Sequence, residues 1–569
     1  MRRRFSPLSK RRPSREVRAP ASPSPPPARG GLEINDKFRA ALELMESTDR
    51  PVFVTGRAGT GKSTLLEYFR DTTRKRIAVL APTGVAALNV RGQTIHSFCR
   101  FKPDITLDKV KKLPPGGRGR PRGGRTGGGD SDPAELYKHF ETIVIDEISM
   151  VRADLLDCVE KFLRLNGPDP KRLFGGLQMV FIGDLYQLPP VVTTAERALF
   201  AGPYETPYFF SARVFSDPAF AMEFVELEKI YRQSEQDFIG LLNAIRNRSA
   251  TDADLERLNR RCDPDFSPPD DDFYVTLTST NDLASERNRE KLAGLGGRAV
   301  AYEGVLAGEF QRSSLPTDER LELKTGAQVM LLTNDPLGRW VNGSIGRVAD
   351  ILRTPDGNAD RAGSPEDVVV VELRDGAAVD VRPNVWEIFR FRLDPDGGGI
   401  ISEPVGSFSQ YPLRLAWAIT IHKSQGKTFD RVVIDFGRGT FAHGQAYVAL
   451  SRCTNFEGLV LKKPIRRGHI RLDYDIVRFL TRTQYKKADE RLSYAAKVAL
   501  INEAIREGRD LEILYLKPDD TKTRRRIRAE SIEKLDFRGR CFEGVVAYCY
   551  KREEQRHFRI DRMLEVKVL

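Results

Sequence analysis

In the first third of the chain, apolar residues come in short unbroken runs that each stop at polar ones. Pro51-Val-Phe-Val54, Ile77-Ala-Val-Leu80, Ile143-Val-Ile145 and Met179-Val-Phe-Ile182 contain no polar position. Continuous rather than alternating apolarity predicts strands buried on both faces of a parallel sheet, where ligands collect at the carboxyl ends of the strands. The tails Gly56 onward, Ala81-Pro-Thr83-Gly84, Asp146-Glu147 and Gly183-Asp184-Leu-Tyr-Gln187 should therefore line one crevice. Leu65, Leu66 and Phe69 follow the first tail at helical spacing, so that stretch reads strand, loop, helix. Between Trp340 and Tyr411 the runs shorten and alternate, at 344–348, 367–372 and 378–381, with a turn at 354–358. They predict a small β insertion. A helical pattern over 495–506 stops at Gly508, and strand-like runs follow at 511–515, 542–550 and 557–560.

The first crevice tail carries the most specific chemistry. In Gly56-Arg-Ala-Gly59-Thr-Gly61-Lys62-Ser63-Thr64 the glycines let backbone amides wrap a phosphate chain, and the helix behind adds its positive dipole end. Lys62 is expected on the β- and γ-phosphates and Ser63 on Mg²⁺. Gly56, Gly59, Gly61, Lys62, Ser63 and Thr64 are thus the candidate nucleotide contacts. Asp146 is placed to bind Mg²⁺ directly or through water, and Glu147 to orient and deprotonate an attacking water. Gln187 can donate to a γ-phosphate and accept from water. Further on, Arg232 in Tyr231-Arg-Gln233 and Arg452 in Ala449-Leu-Ser-Arg452 are arginines that could cross to the γ-phosphate from a second lobe. Gly426-Lys427-Thr428 imitates the end of a second phosphate loop, but Ile421 stands where its first glycine should be.

Length and charge narrow the class. A chain of 569 residues has room for three or four domains. It contains no apolar run near the ~20 residues that cross a bilayer, and no secretory signal, so an intracellular, cytoplasmic protein without a membrane partner is expected. Cys99, Cys158, Cys262, Cys453, Cys541 and Cys549 form no CxxC pair, which argues for reduced, mostly buried thiols. Residues 1–31 carry nine Lys/Arg against Glu16, and residues 109–129 carry seven with no acid. Together these exceed the net +13 of the chain, so the remainder is slightly acidic. Both segments are rich in Pro or Gly and suit either loose contact with a polyanion or a solubilising role.

With Thr94-Ile-His-Ser-Phe98, Asp146-Glu-Ile-Ser-Met150, Gly183-Asp-Leu-Tyr-Gln-Leu-Pro-Pro190 and Ala418-Ile-Thr-Ile-His-Lys-Ser-Gln-Gly426 added, eight motifs stand in the order of a known group. The chain resembles the Pif/RecD-like helicases of superfamily 1. The resemblance implies an α/β protein with two RecA-like P-loop NTPase lobes, ATP and Mg²⁺ between them, and a small β-barrel insertion. It also implies 5′→3′ movement on single-stranded DNA, unwinding at duplex junctions, and an ATP site that needs no oligomer. Carried over, Thr83, His96 and Phe98 would meet DNA on the first lobe, and Thr420, His422, Lys423 and Ser424 on the second. Phe98 offers either a stacking face or core packing, and His96 either a DNA contact or a structural role. The last segment resembles the WYL domain, with Cys541-Phe-Glu543 where that family has its name-giving triplet and Phe558-Arg-Ile-Asp-Arg562 matching its ending. That resemblance implies a small ligand or nucleic acid as its partner. Lys522, Arg524, Arg525, Arg526 and Arg528 could grip DNA or form a solvated hairpin.

The expected organisation is a basic tail over 1–31, a first lobe over 32–213 with its Gly/Arg-rich insertion at about 109–130, a second lobe over 214–340 and 411–480, the β-barrel insertion over 341–410, and the WYL-like domain over 494–569. The expected function is an ATP-dependent DNA helicase, working at the nucleoid of a bacterial cytoplasm. The competing reading is a nucleic-acid-binding regulatory ATPase whose last domain senses a ligand and which does not unwind processively.

Overall fold

The computed structural model describes residues 34–114, 133–192, 196, 200, 202–353, 367–393, 400–437, 439–440, 442–518, 520–537 and 540–569. The basic tail, the arginines of the 109–130 insertion and the turn at 354–358 lie outside the described residues.

The four apolar runs form the strands Val52–Gly56, Ile77–Ala81, Thr142–Ile145 and Gln178–Ile182, nearly every residue of which is buried. With Gln93–Thr94 and Glu223–Leu227 they make a six-stranded parallel sheet. Having no polar face, such strands are stable only when covered on both sides. The boundary expected at residue 213 therefore falls too early. Glu223–Leu227 pairs along its whole length with Val52–Gly56, and Phe53, Phe209 and Phe224 join their rings edge to face beneath it.

A second parallel sheet takes its strands in the order Ala418–Thr420, Val275–Thr278, Val432–Asp435, Leu459–Leu461. The insertion between its segments is larger than 341–410. Gln328–Leu331 and Leu413–Leu415 complete a five-stranded antiparallel sheet with Ile345–Leu352, Val368–Leu373 and Ala378–Val381. A long hairpin, Asn384–Leu393 with Ile400–Gln410, pairs with Val305–Gly308 instead. Val300–Glu303 and Arg320–Leu323 form a further two-stranded ladder, so the pairing is that of three antiparallel sheets, and no closed barrel is formed among the described residues.

The helix Tyr474–Arg491 leads from the second lobe back to the first, stacking Phe479 on Phe210 at 4.3 Å and pairing Lys487 with Glu223. It delivers the chain to the helix Tyr494–Glu507, which ends at left-handed Gly508, and to a five-stranded antiparallel sheet over 510–568. Ile501, Ala504, Leu511, Ile513, Ile527, Val545 and Phe558 give this unit its own core. All six cysteines are free thiols, and of these Cys541 is exposed and Cys262 half-buried.

Candidate active site

The phosphate loop joins the end of Val52–Gly56 to the helix Lys62–Thr72. Gly59 and Gly61 are left-handed, with φ of 79° and 85°. A Cβ at Gly59 would stand 2.5 Å from that of Arg232, and the Tyr231 amide donates to the Gly59 carbonyl at 2.8 Å. The distant Tyr231-Arg-Gln233 motif is thereby laid directly on the loop. Lys62 Nζ donates to the carbonyls of Gly56 (2.7 Å) and Arg57 (3.0 Å). Burial lowers its pKa against the opposing pull of Asp184, Glu147 and Asp146. Ser63 and Thr64 stand exposed on the first turn of the helix.

Asp146 is buried just beyond the strand Thr142–Ile145, and burial followed by the charge of Glu147 raises its pKa. Glu147 is left-handed, with φ 50° and ψ 43°. A glutamate holds that conformation at a cost of order 1–3 kcal/mol, and such strain gathers at functional sites. Burial raises its pKa too, opposed by Lys62 and Arg452. Its Oε2 accepts from Gln425 Nε2 of the second lobe at 2.9 Å. Gln187 Nε2 donates to Asp184 Oδ2 at 3.2 Å, and Asp184 Oδ1 accepts from the Tyr186 amide at 3.1 Å and from Arg246 at 3.4 Å.

The second lobe closes the opposite wall. Arg452 is fully buried and donates to the carbonyls of Val448 (3.0 Å), Lys427 (3.1 Å) and Ser424 (3.4 Å). Burial, with the charge of Arg232 behind it, lowers its pKa to about 9. Arg232 reaches the carbonyls of Ser451 and Gly426, and Gln233 those of Ser451 and Cys453. Tyr447 Oη accepts from the Ala58 amide of the phosphate loop at 3.0 Å. Lys62, Asp146, Glu147, Arg232 and Arg452 thus share one electrostatic neighbourhood, with Gln187 tied to it through Asp184. As donors to a cation, the Asp146 carboxylate and the Ser63 hydroxyl are hard oxygens and fit Mg²⁺, which is held by one or two protein ligands plus phosphate oxygens and water. No cluster of three metal-ligating side chains exists among the described residues.

The proposed DNA contacts divide. Thr83 is exposed, and its hydroxyl caps the helix Gly84–Asn89. His96 and His422 are half-buried, with pKa values lowered by burial. Lys423 is exposed and lines a cleft with Thr420, Asn288, Arg289 and Arg414. Phe98 does not reach a surface. It is buried edge to face against Tyr137 (5.3 Å) and Phe140 (5.6 Å), so its stacking partners are core rings. Ser424 is also wholly buried, its hydroxyl donating to the Ile421 carbonyl, and Thr420 Oγ1 is turned to the Lys423 amide. These two shape the turn that presents His422 and Lys423. The basic run of the last domain is ion-paired within that domain: Arg524 with Glu512 and Glu565, Arg526 and Arg528 with Asp510. Arg525 is buried and Lys522 pairs with Glu226. Gln425 and Asp184 stand inside the motifs 418–426 and 183–190, and their roles show only in their contacts with Glu147 and Gln187. Tyr447 and Arg246 carried no signal, because their role depends on packing between remote segments.

A phosphate loop and an Asp-Glu pair on one parallel sheet, answered by a glutamine and two arginines from beside another, define a two-lobed ATP-driven motor of the P-loop class. Residues 34–254 match the profile of the PIF1-like helicase, and residues 496–568 that of the WYL domain. The ATP-dependent DNA helicase Pif1 of Bdellovibrio bacteriovorus is 32% identical over 443 residues, covering 76% of this chain and 88% of the relative. The ATP-dependent DNA helicase PIF1 of Homo sapiens is 34% identical over 415 residues, where this chain spans only 57% of the relative's length. Pif1 of Bacteroides sp in complex with ADP-AlF4 superposes with a TM-score of 0.66 at 34% identity, covering 79% of this chain and 96% of that one. The same comparison with Bacteroides Pif1 bound to ssDNA gives 0.53. The chain belongs to the PIF1-like helicase family, with a RecA-like parallel-sheet core, and carries a WYL domain.

Proposed function

We propose that the protein uses ATP hydrolysis to move 5′→3′ along single-stranded DNA and to separate duplex or structured DNA at a junction. The observation that carries this reading is the seam between the lobes, where Arg232, Gln233, Gln425 and Tyr447 tie the phosphate loop and Glu147 to the second sheet. A binding module has no need of such a seam. In a motor it makes lobe closure depend on the nucleotide. Bound ATP·Mg²⁺ supplies the phosphoryl group and the cation that offsets its charge. Lys62 exchanges the carbonyls of Gly56 and Arg57 for phosphate oxygens. Glu147 holds the attacking water and takes its proton, with its position set by Gln425. Arg232 and Arg452 move from backbone carbonyls to the charge that develops on the γ-phosphoryl group.

Relatives solved with ssDNA and at forked dsDNA support a junction as substrate. Thr83, His96, His422 and Lys423 are the side chains placed to hold the strand loosely, as a sequence-tolerant and releasable grip requires. One chain supplies both walls of the ATP site, so the reading requires no oligomer. No helix among the described residues is long and apolar enough to cross a membrane, and a DNA substrate puts the work at the nucleoid. The test is strand release from 5′-tailed, 3′-tailed and blunt duplexes with ATP·Mg²⁺, Lys62→Ala serving as control. Release from the 5′-tailed duplex alone is expected. DNA-stimulated hydrolysis with no release from any substrate would refute unwinding, and release that required a 3′ tail would refute the polarity.

A further inference from the structure

The strand Asp510–Leu516 of the WYL domain is joined by a short turn to Lys522–Phe537, and Asp520 in that turn is buried against the motor. Asp520 is left-handed (φ 59°) and only 9% exposed, unusual for a charged residue in a turn between strands. Its Oδ2 accepts from the Tyr186 hydroxyl at 2.9 Å, and its Oδ1 from Gln484 Nε2 of the connecting helix at 2.8 Å. Beside it Thr521 meets Asn247 at 3.4 Å, while Lys522 pairs with Glu226 (2.5 Å) and Glu228 (3.5 Å) at the edge of the first sheet. A carboxylate taken out of water is stable only where its lone pairs are answered, and here residues from outside the WYL domain answer both oxygens.

What lies behind Tyr186 gives the contact a consequence. Its ring is covered by the Arg246 guanidinium, whose carbon lies 3.8 Å from the ring centroid. Arg246 in turn holds Asp184, and Asp184 holds Gln187. The carbonyls of Tyr186 and Gln187 press on the second lobe at Gly444, where an added Cβ would lie 2.4 and 2.3 Å from them. The Tyr186 amide also donates to Asp184 Oδ1 at 3.1 Å, so by the shortest route Asp520 is two residue-to-residue contacts from Asp184 and three from Gln187.

We infer that Asp520 is a positioning residue of the ATPase, through which the WYL domain holds the Tyr186–Arg246–Asp184 network, and hence Gln187, in its hydrolytic arrangement. The inference rests on the reading that Gln187 faces the γ-phosphate. It assigns the WYL domain a mechanical part in hydrolysis that is separate from any ligand of its own. Because the contact acts on the network behind Gln187 and touches none of the phosphate-loop groups that wrap the nucleotide, its loss falls on turnover rather than on ATP affinity.

The test is steady-state ATP hydrolysis with saturating single-stranded DNA, on the full chain. Asp520→Ala and Tyr186→Phe are each expected to lower kcat about tenfold, in the range of ordinary inter-site coupling, with KM for ATP within about twofold. The double variant should be no slower than either single one, since both remove the same bond. Asp520→Asn can accept from Tyr186 through its amide oxygen, while a reversed Gln484 amide accepts from its NH₂, so it should restore kcat to near the wild-type value. Gln187→Ala separates the layers. If it hydrolyses normally, the assignment of the site is wrong. If it fails while Asp520→Ala keeps wild-type kcat, or if the two single losses multiply in the double variant, the positioning role is refuted. Lowered thermal stability of Asp520→Ala without change in kcat would reduce the contact to structural docking and likewise refute it.

Discussion

Gly444→Ala tests the seam between the lobes with a single methyl group. Gly444 is left-handed (φ 70°) and opens the helix Gln445–Leu450. An alanine there carries about 1–2 kcal/mol of backbone strain. Its Cβ would stand 2.3 Å from the Gln187 carbonyl oxygen and 2.4 Å from that of Tyr186, whereas ordinary contact begins near 3.4 Å. Both partners are backbone, so no side chain can swing aside. The lobes must part by about 1 Å at the point where Gln187 meets the second lobe, and a misplacement of that size costs about 100-fold in rate. That corresponds to about 2.7 kcal/mol in the barrier. The assay is DNA-stimulated ATP hydrolysis, paired with single-strand affinity measured without nucleotide. A fall in kcat of this order with affinity kept within a few-fold is expected. A kcat within twofold of wild type would show that the observed contact is not the one used in turnover.

Lys62→Ala should lower hydrolysis by at least about 100-fold and abolish strand release while leaving most nucleotide-free DNA binding, read by filter binding and single turnover. Phe98→Ala should cost about 3–5 kcal/mol in denaturant unfolding, as expected for an aromatic ring removed from a core. A drop in DNA affinity with unchanged stability would return that ring to the DNA surface. Burial, against the pull of Arg246 and with Glu226 adding to it, raises the Asp520 carboxyl from 3.8 to about 6, and the Tyr186 hydroxyl and Lys522 pull it back. A raised carboxyl pKa favours the folded state fully below pH 3.8, and that advantage is lost as pH rises through 6. The stability of wild type relative to Asp520→Asn should therefore fall by about 3 kcal/mol between pH 4 and 7 and then level off. A difference independent of pH, followed by thermal melts, would contradict the burial argument.

The sites legible in the sequence are those whose chemistry is local. The phosphate loop, the Asp146-Glu147 step and the unbroken apolar strands are each written within about a dozen residues, because backbone conformation and strand burial act over that distance. Arg232 and Arg452 were legible as members of ordered motifs aimed at one phosphate, while the backbone carbonyls that hold them were not, since no spacing along the chain encodes a contact such as Arg232 to Ser451 across 219 residues. Phe98 and Ser424 show the limit from the other side. Their residue types suit DNA, and packing against Tyr137, Phe140 and the Ile421 carbonyl gave them to the interior. The basic run ending at Arg528 had the composition of a polyanion grip, but strand pairing sets Arg528 opposite Asp510 and Arg526 opposite the neighbouring Glu512, from where both guanidinium groups reach the Asp510 carboxylate.

By itself, then, the sequence determined the ATP chemistry, the two-lobed class and a separate last domain. Only the tertiary structure decided where the first sheet ends, that the insertion pairs as separate antiparallel sheets, and that Asp520 in the WYL hairpin turn is buried against Tyr186. The physical reason is common to all three. Edge-strand pairing, the face a ring turns inward and the docking of a hairpin are settled by which remote surfaces meet, and a buried carboxylate such as Asp520 is tolerated only once they have met.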